Sequence, residues 1–102
     1  MDAKHIYRYE KAYIQGANNI SSQLGGAITT EKKYEIYTQL FDYVYKHWKL
    51  LNNNALLSLR KHNTRVCLVM SIRDLVVLRR VDLAVKLFRR YDFGLTCEEC
   101  FC

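Results

Sequence analysis

Apolar residues recur along this chain at intervals of three and four, the period of a helix with one buried face. The clearest run is Tyr34, Tyr37, Phe41, Val44, Trp48 and Leu51, spaced 3, 4, 3, 4 and 3, with Leu40 beside it. Thr29 or Thr30 stands where a capping residue belongs, Glu31 falls in the first turn, and Asn52, Asn53 and Asn54 close the run. A second run, Val77, Val81, Ala84, Phe88 and Tyr91, is spaced 4, 3, 4 and 3. Ser71 and Asp74 before it resemble a capping box with Asp in place of Glu, and Gly94 after it suits a C-cap. Together these predict a helix over 71–93.

The remaining segments are shorter. Ile6, Tyr9 or Glu10, Tyr13 and Ile14 predict a Tyr-rich helix over 3–15. The Gly, Asn and Ser content of 16–29 predicts a flexible loop. Residues 55–62 read as a short helix. The apolar run in 64–70 suits a buried strand or a helix interior, and periodicity does not decide between them. Residues 95–102 form a Cys-rich tail. The expected architecture is one all-α domain over 1–102, a small bundle of three or four helices.

Composition supports that picture. The chain has 102 residues, half of them hydrophobic and a quarter charged, as in globular proteins. It has no proline, which fits a chain that is mostly helix. The first residues lack the apolar core of a signal peptide, and no apolar run nears the roughly 20 residues of a membrane span. An intracellular protein, cytoplasmic or nuclear, is the expectation, with membrane association not expected.

Charge changes the picture more. The net charge of +6 favours acidic partners, and its make-up differs between the two halves. Seven of the eight arginines lie between 60 and 93, and residues 60–90 hold nine Lys or Arg against two acids, Asp74 and Asp82. Arginine's planar fork binds phosphate bidentately, where lysine acts as a solvated point charge. On a continuous helix Arg79, Lys86, Arg89 and Arg90 share one arc with Asp82, opposite Val77, Val81, Ala84, Phe88 and Tyr91. Arg80 lies nearer the apolar edge, and Arg60, Lys61 and Arg65 extend the basic surface if the preceding turn folds alongside.

The first functional expectation is therefore non-enzymatic nucleic-acid binding, DNA or RNA, through phosphate contacts of Arg60, Lys61, Arg65, Arg79, Arg80, Lys86, Arg89 and Arg90. The plainer alternative is a solvated face in which Asp82 bridges Arg79 and Lys86. The apolar side, widened by Leu75, Val76, Leu78, Leu83 and Leu87, is too broad for one neighbouring helix to cover. It points to an interface at Val77, Val81, Ala84, Phe88 and Tyr91. Its occupant would be a second copy completing the bundle as a homodimer, or another protein bound by a helical interaction module.

Other chemistry is sparse. His5, His47 and His62 have no partner near in sequence, so an edge role is expected of each. The tyrosines before residue 46 suit a core more than base stacking. No phosphate-cradling glycine loop or HExxH motif occurs. Cys97 and Cys100 have CxxC spacing, and with Cys102 they offer three thiolates of the four that structural zinc requires, the fourth being Cys67, His62 or a partner's group. Zinc is thus the one cofactor considered. The terminal Cys100-Phe101-Cys102 resembles the CxC end of geranylgeranylated small GTPases over three residues, without that family's phosphate-binding motifs. The resemblance implies a lipid-modified tail, as in a peripheral membrane protein.

Overall fold

The computed structural model describes residues 3–48 and 55–101, with side chains described over 11–47 and 62–101. Trp48, Leu51, Asn52, Asn53, Asn54, Arg60, Lys61 and Cys102, as well as Ile6, Tyr9 and Glu10, therefore fall partly or wholly outside the described residues and side chains. The described backbone is helical: α1 (Ala3–Ser21), a 3₁₀ segment (Ser22–Gly26), α2 (Thr30–Trp48), α3 (Ala55–Val77), α4 (Val81–Arg90) and α5 (Cys97–Phe101). The all-α expectation holds, as a small helical bundle.

α2 follows its sequence pattern closely. Thr29 caps it, its Oγ1 accepting the Lys32 N–H at 3.1 Å. Tyr37, Phe41 and Val44 are buried, and Ile36, outside the stripe, is buried as well.

Three boundaries differ from expectation. First, residues 16–29 are mostly not a loop, because α1 runs through Gly16 to Ser21 and the 3₁₀ segment follows directly. Gly16 serves packing there: a Cβ on it would lie 2.8 Å from Cζ of Tyr43. Tyr43 in turn stacks on Tyr13 at 5.7 Å, and its hydroxyl donates to the Tyr13 carbonyl at 3.3 Å. A Cβ at position 16 would therefore have to push the Tyr43 ring out of its place.

Second, the short helix, the ambiguous run and the start of the predicted 71–93 helix are one 23-residue helix, α3. Ser71 does not cap it. Its hydroxyl donates to the Cys67 carbonyl one turn back at 2.9 Å, and Asp74 accepts from the Tyr37 hydroxyl at 2.8 Å.

Third, the predicted 71–93 helix breaks at 78–80. Arg79 takes φ 67, the only positive-φ non-glycine among the described residues. The Arg80 N–H bonds the Leu75 carbonyl at 2.9 Å and the Arg79 N–H bonds the Val76 carbonyl at 3.0 Å. This is a Schellman ending with arginine in the position that usually holds glycine. α4 then starts in a new phase and ends at Arg90. Gly94 (φ 76) turns the chain beyond that end and does not cap the helix.

The break reassigns the second apolar stripe, because a periodicity read across a turn no longer describes one face. Leu83, Ala84 and Leu87 form the buried side of α4, against Leu68, Ile72 and Leu75 of α3 and Phe41 of α2. Of the five expected interface residues, Ala84 and Tyr91 are core, Phe88 packs against Phe101 at 5.6 Å, and only Val77 and Val81 are exposed.

The tail is ordered over 97–101 by a reciprocal capping box. The Glu99 N–H donates to Thr96 Oγ1 at 3.3 Å, while Glu99 Oε1 accepts the Thr96 N–H at 3.2 Å. That places Cys100 in the core at 1% exposure. The whole is flat, 46 × 30 × 16 Å, and its radius of gyration of 14.3 Å exceeds the about 12.8 Å expected of a compact chain of this length. A slab that thin holds two layers of helices, so a central helix can be covered on one side and bare on the other.

Candidate interaction surface

The arginine-rich segment divides into arginines engaged within the fold and cations left in solvent. Arg90 makes a fork with Asp42, Nε to Oδ1 at 3.0 Å and Nη2 to Oδ2 at 2.9 Å. Tyr91 donates to the same carboxylate at 2.6 Å, which ties the end of α4 to the middle of α2. The Arg90 guanidinium and the Tyr91 hydroxyl hold the Asp42 carboxyl below the ordinary carboxylate range, against partial desolvation. Burial, then the bond to Asp42, pushes the Tyr91 hydroxyl's pKa upward.

Arg80 grips Asp82 through Nε at 3.1 Å and Nη2 at 3.0 Å, and its Nη1 reaches Glu31 at the start of α2. Asp82 therefore pairs with Arg80 and does not bridge Arg79 and Lys86. Arg65 donates to the Gly94 carbonyl at 3.1 Å. Arg73 places Nε and Nη2 on the Glu99 carbonyl at 3.0 and 2.6 Å. These last two arginines, two turns apart on α3, strap the C-terminal segment along that helix. The bidentate fork that suggested phosphate recognition is engaged by carboxylates and carbonyls of the chain itself.

Arg79, Lys86 and Arg89 remain exposed and carry no ion pair among the described residues. Lys86 and Arg89 lie one turn apart on α4, and Arg79 lies in the turn before it. Of the six expected cationic residues whose side chains are described, Arg65, Arg80 and Arg90 are thus engaged within the fold, and Arg79, Lys86 and Arg89 are left in solvent. Arg60 and Lys61 lie in α3, with side chains outside those described.

Of the large hydrophobic side chains exposed among the described residues, Ile28, Tyr45, Leu78 and Val81 lie on other parts of the chain, and three share one face of α3. Leu68, Ile72 and Leu75 are fully buried on one side of it, whereas Val66 (44% exposed), Met70 (65%) and Val77 (76%) are in solvent on the other. At about 100° per residue, Val66, Met70 and Val77 fall within an arc of about 40°, opposite the buried set. A helix apolar on both faces is one that expects cover on both faces. Grooves flank this ridge. One, of about 710 Å³, runs between α3 and α2 and includes Leu24, Tyr37, Leu40, Met70 and Val77. The other, of about 500 Å³, lies toward the C-terminal segment and includes His62, Val69 and Glu99. Near the C-terminal end of the ridge Lys33 sits 3.6 Å from Asp74 and Arg80 pairs with Glu31 and Asp82, while Arg73 and Arg79 add two cations to these three acids and two bases. The surroundings are close to neutral despite the basic chain.

No group of three His, Cys, Asp or Glu able to hold a metal occurs among the described residues. Cys97 is exposed and Cys100 buried, both as free thiols, and burial pushes the Cys100 thiol's pKa up. Cys67 is a free exposed thiol beside the ridge. His47 packs against Tyr43 at 4.7 Å, an edge role as expected, and burial lowers its pKa. No described helix is long and apolar enough to cross a membrane. No protein-family model, curated protein or solved structure matches this chain.

Proposed function

We propose that this chain is a non-enzymatic helical interaction module that presents the outer face of α3 to a protein partner. The exposure of Met70 and Val77 opposite a complete core is the observation that carries this reading. Large apolar side chains scattered singly over a surface need no explanation, but a ridge of them along one helix, flanked by grooves and mixed charge, suits a protein surface. A photo-crosslinking amino acid placed at 66, 70 or 77 is expected to give discrete adducts in cells expressing the protein, while the same probe at exposed Lys46 gives none. Absence of adducts from all three ridge positions refutes the reading.

A second reading, nucleic-acid binding by phosphate contact, is favoured by the exposed Arg79, Lys86 and Arg89, which carry no ion pair among the described residues. Its test is binding to single- and double-stranded DNA and RNA across a salt series. Three phosphate contacts would give a slope of roughly −2 to −3 in log affinity against log salt, removed by replacing all three with Ala. No binding at low salt ends that reading.

A further inference from the structure

The exposed face of α3 carries a repeat that specifies its own partner. Asn63, Val66, Met70, Arg73 and Val77 are spaced 3, 4, 3 and 4, and in sequence Leu56 and Leu59 continue the same spacing toward the start of the helix. The run is a heptad seam three repeats long, interrupted only by Asn63 and Arg73. All five of Asn63, Val66, Met70, Arg73 and Val77 are exposed. They occupy an arc of about 80°, centred opposite Leu68, Ile72 and Leu75.

Two copies of this seam fit one another in only one sense. In a parallel pair like faces like, which sets Asn63 against Asn63 and the Arg73 guanidinium against its own copy. In an antiparallel pair centred near residue 68, Met70 meets Val66 of the second copy and Asn63 meets Arg73. The two polar positions then share a layer, with the Asn63 side-chain oxygen facing a cation, and the Val66–Met70 layers between them are apolar. Arg73 keeps its hold on the Glu99 carbonyl through Nε and Nη2, which leaves Nη1 for Asn63. The two grooves beside the ridge give an opposing helix room to seat its own ridge, and a two-fold axis makes the arrangement close on itself.

We infer that the partner of this face is a second copy of the chain, docked antiparallel, α3 against α3, through Val66, Met70 and Val77 with Asn63 and Arg73 paired across the two-fold axis. This rests on the interaction-module reading and adds the occupant and its direction. Sedimentation equilibrium of the full chain over a concentration series tests it. The expected result is a reversible dimer of twice the 12.1 kDa chain mass, weakened at least tenfold by Met70→Glu. Asn63 separates the directions. Antiparallel pairing sets position 63 against Arg73, so Asn63→Glu binds more tightly than Asn63→Lys, by about tenfold over the two symmetric pairs. Parallel pairing sets position 63 against itself, so both substitutions weaken the dimer alike.

A monomer at every concentration overturns the inference, as does equal weakening by Glu and Lys. Circular dichroism of each variant confirms that the helices remain, and because Asn63 and Met70 are exposed their substitution leaves the core intact. If the chain is monomeric yet positions 66, 70 and 77 crosslink to a different protein, the second copy is excluded and the interaction module stands. If no adduct of any kind forms, both fall.

Discussion

Arg79 is the residue whose conformation most decides where the second half of the chain turns, and replacing it with glycine gives a quantitative test. An L-residue with φ 67 brings its Cβ against the following carbonyl, at a cost of about 1–2 kcal/mol that glycine does not incur. Glycine in turn widens the unfolded ensemble, which removes about 0.4–1 kcal/mol of that gain. The Arg79 side chain is exposed and without an ion pair among the described residues, so losing it changes little else. Arg79→Gly should therefore stabilise the protein by about 0.5–1 kcal/mol, a rise in melting temperature of roughly 3–6 °C for a domain of this size. Arg79→Ala keeps the Cβ and should melt within a degree or two of wild type. The assay is thermal unfolding by circular dichroism at one fixed concentration. Loss of stability in the glycine variant, or an equal gain in the alanine variant, would refute the left-handed turn and restore a continuous helix over 71–93.

Further outcomes follow from the same contacts. Gly16→Ala, which in an open helix would add about 0.5–1 kcal/mol, should instead cost about 1–2 kcal/mol in urea unfolding because its Cβ meets the Tyr43 ring, and Tyr43→Phe in the same chain should recover part of the loss. The folded-state pKa of Asp42 lies below its unfolded value, so its contribution is present above the ordinary carboxylate range and disappears as pH falls through the folded value; Asp42→Asn should flatten that part of the acid stability profile. Thiol labelling mapped by mass spectrometry should find Cys67 and Cys97 modified quickly and Cys100 slowly, and Thr96→Val, which removes the side chain's part of the cap at a cost of about 1 kcal/mol, should accelerate Cys100 alone. Leu75→Ala removes a fully buried side chain between α3 and α4 and should cost 2–5 kcal/mol, against under about 0.5 kcal/mol for exposed Lys86→Ala.

What was legible in the sequence followed from local chemistry. α2 has a capping threonine, an acid in its first turn and one uninterrupted stripe, and it forms as those signals direct. α3 and α4 were misread because the stripe from Val77 to Tyr91 is continuous in sequence while the backbone turns at Arg79, and arginine carries no glycine-like signal for a left-handed turn. Gly16 sits among residues of loop composition, but its missing side chain admits Tyr43, a tertiary reason invisible in one dimension. The Thr96–Glu99 capping box is a local signal for the short helix in the tail, and it lies in the sequence beside the more conspicuous cysteine spacing. The arginines show the same limit. Their number and position were plain, but whether a guanidinium meets a phosphate or Asp42, Asp82, Glu31 and the carbonyls of Gly94 and Glu99 depends on which elements pack together. The seam on α3 was hidden for a related reason: its period becomes visible only once 55–77 is known to be one helix and its other face is known to be core.

The most direct test of the two-faced helix is the methyl resonance of Met70, one of two methionines in the chain and the exposed middle of the ridge. With ¹³C-methyl-methionine labelling and Met1→Ala to leave a single signal, a soluble paramagnetic probe should broaden the Met70 methyl strongly in dilute protein. As the concentration rises, that broadening should fall as the ridge is covered. A methyl already protected in dilute protein would mean that Met70 belongs to the core, and one equally accessible at every concentration would mean that no second copy covers it.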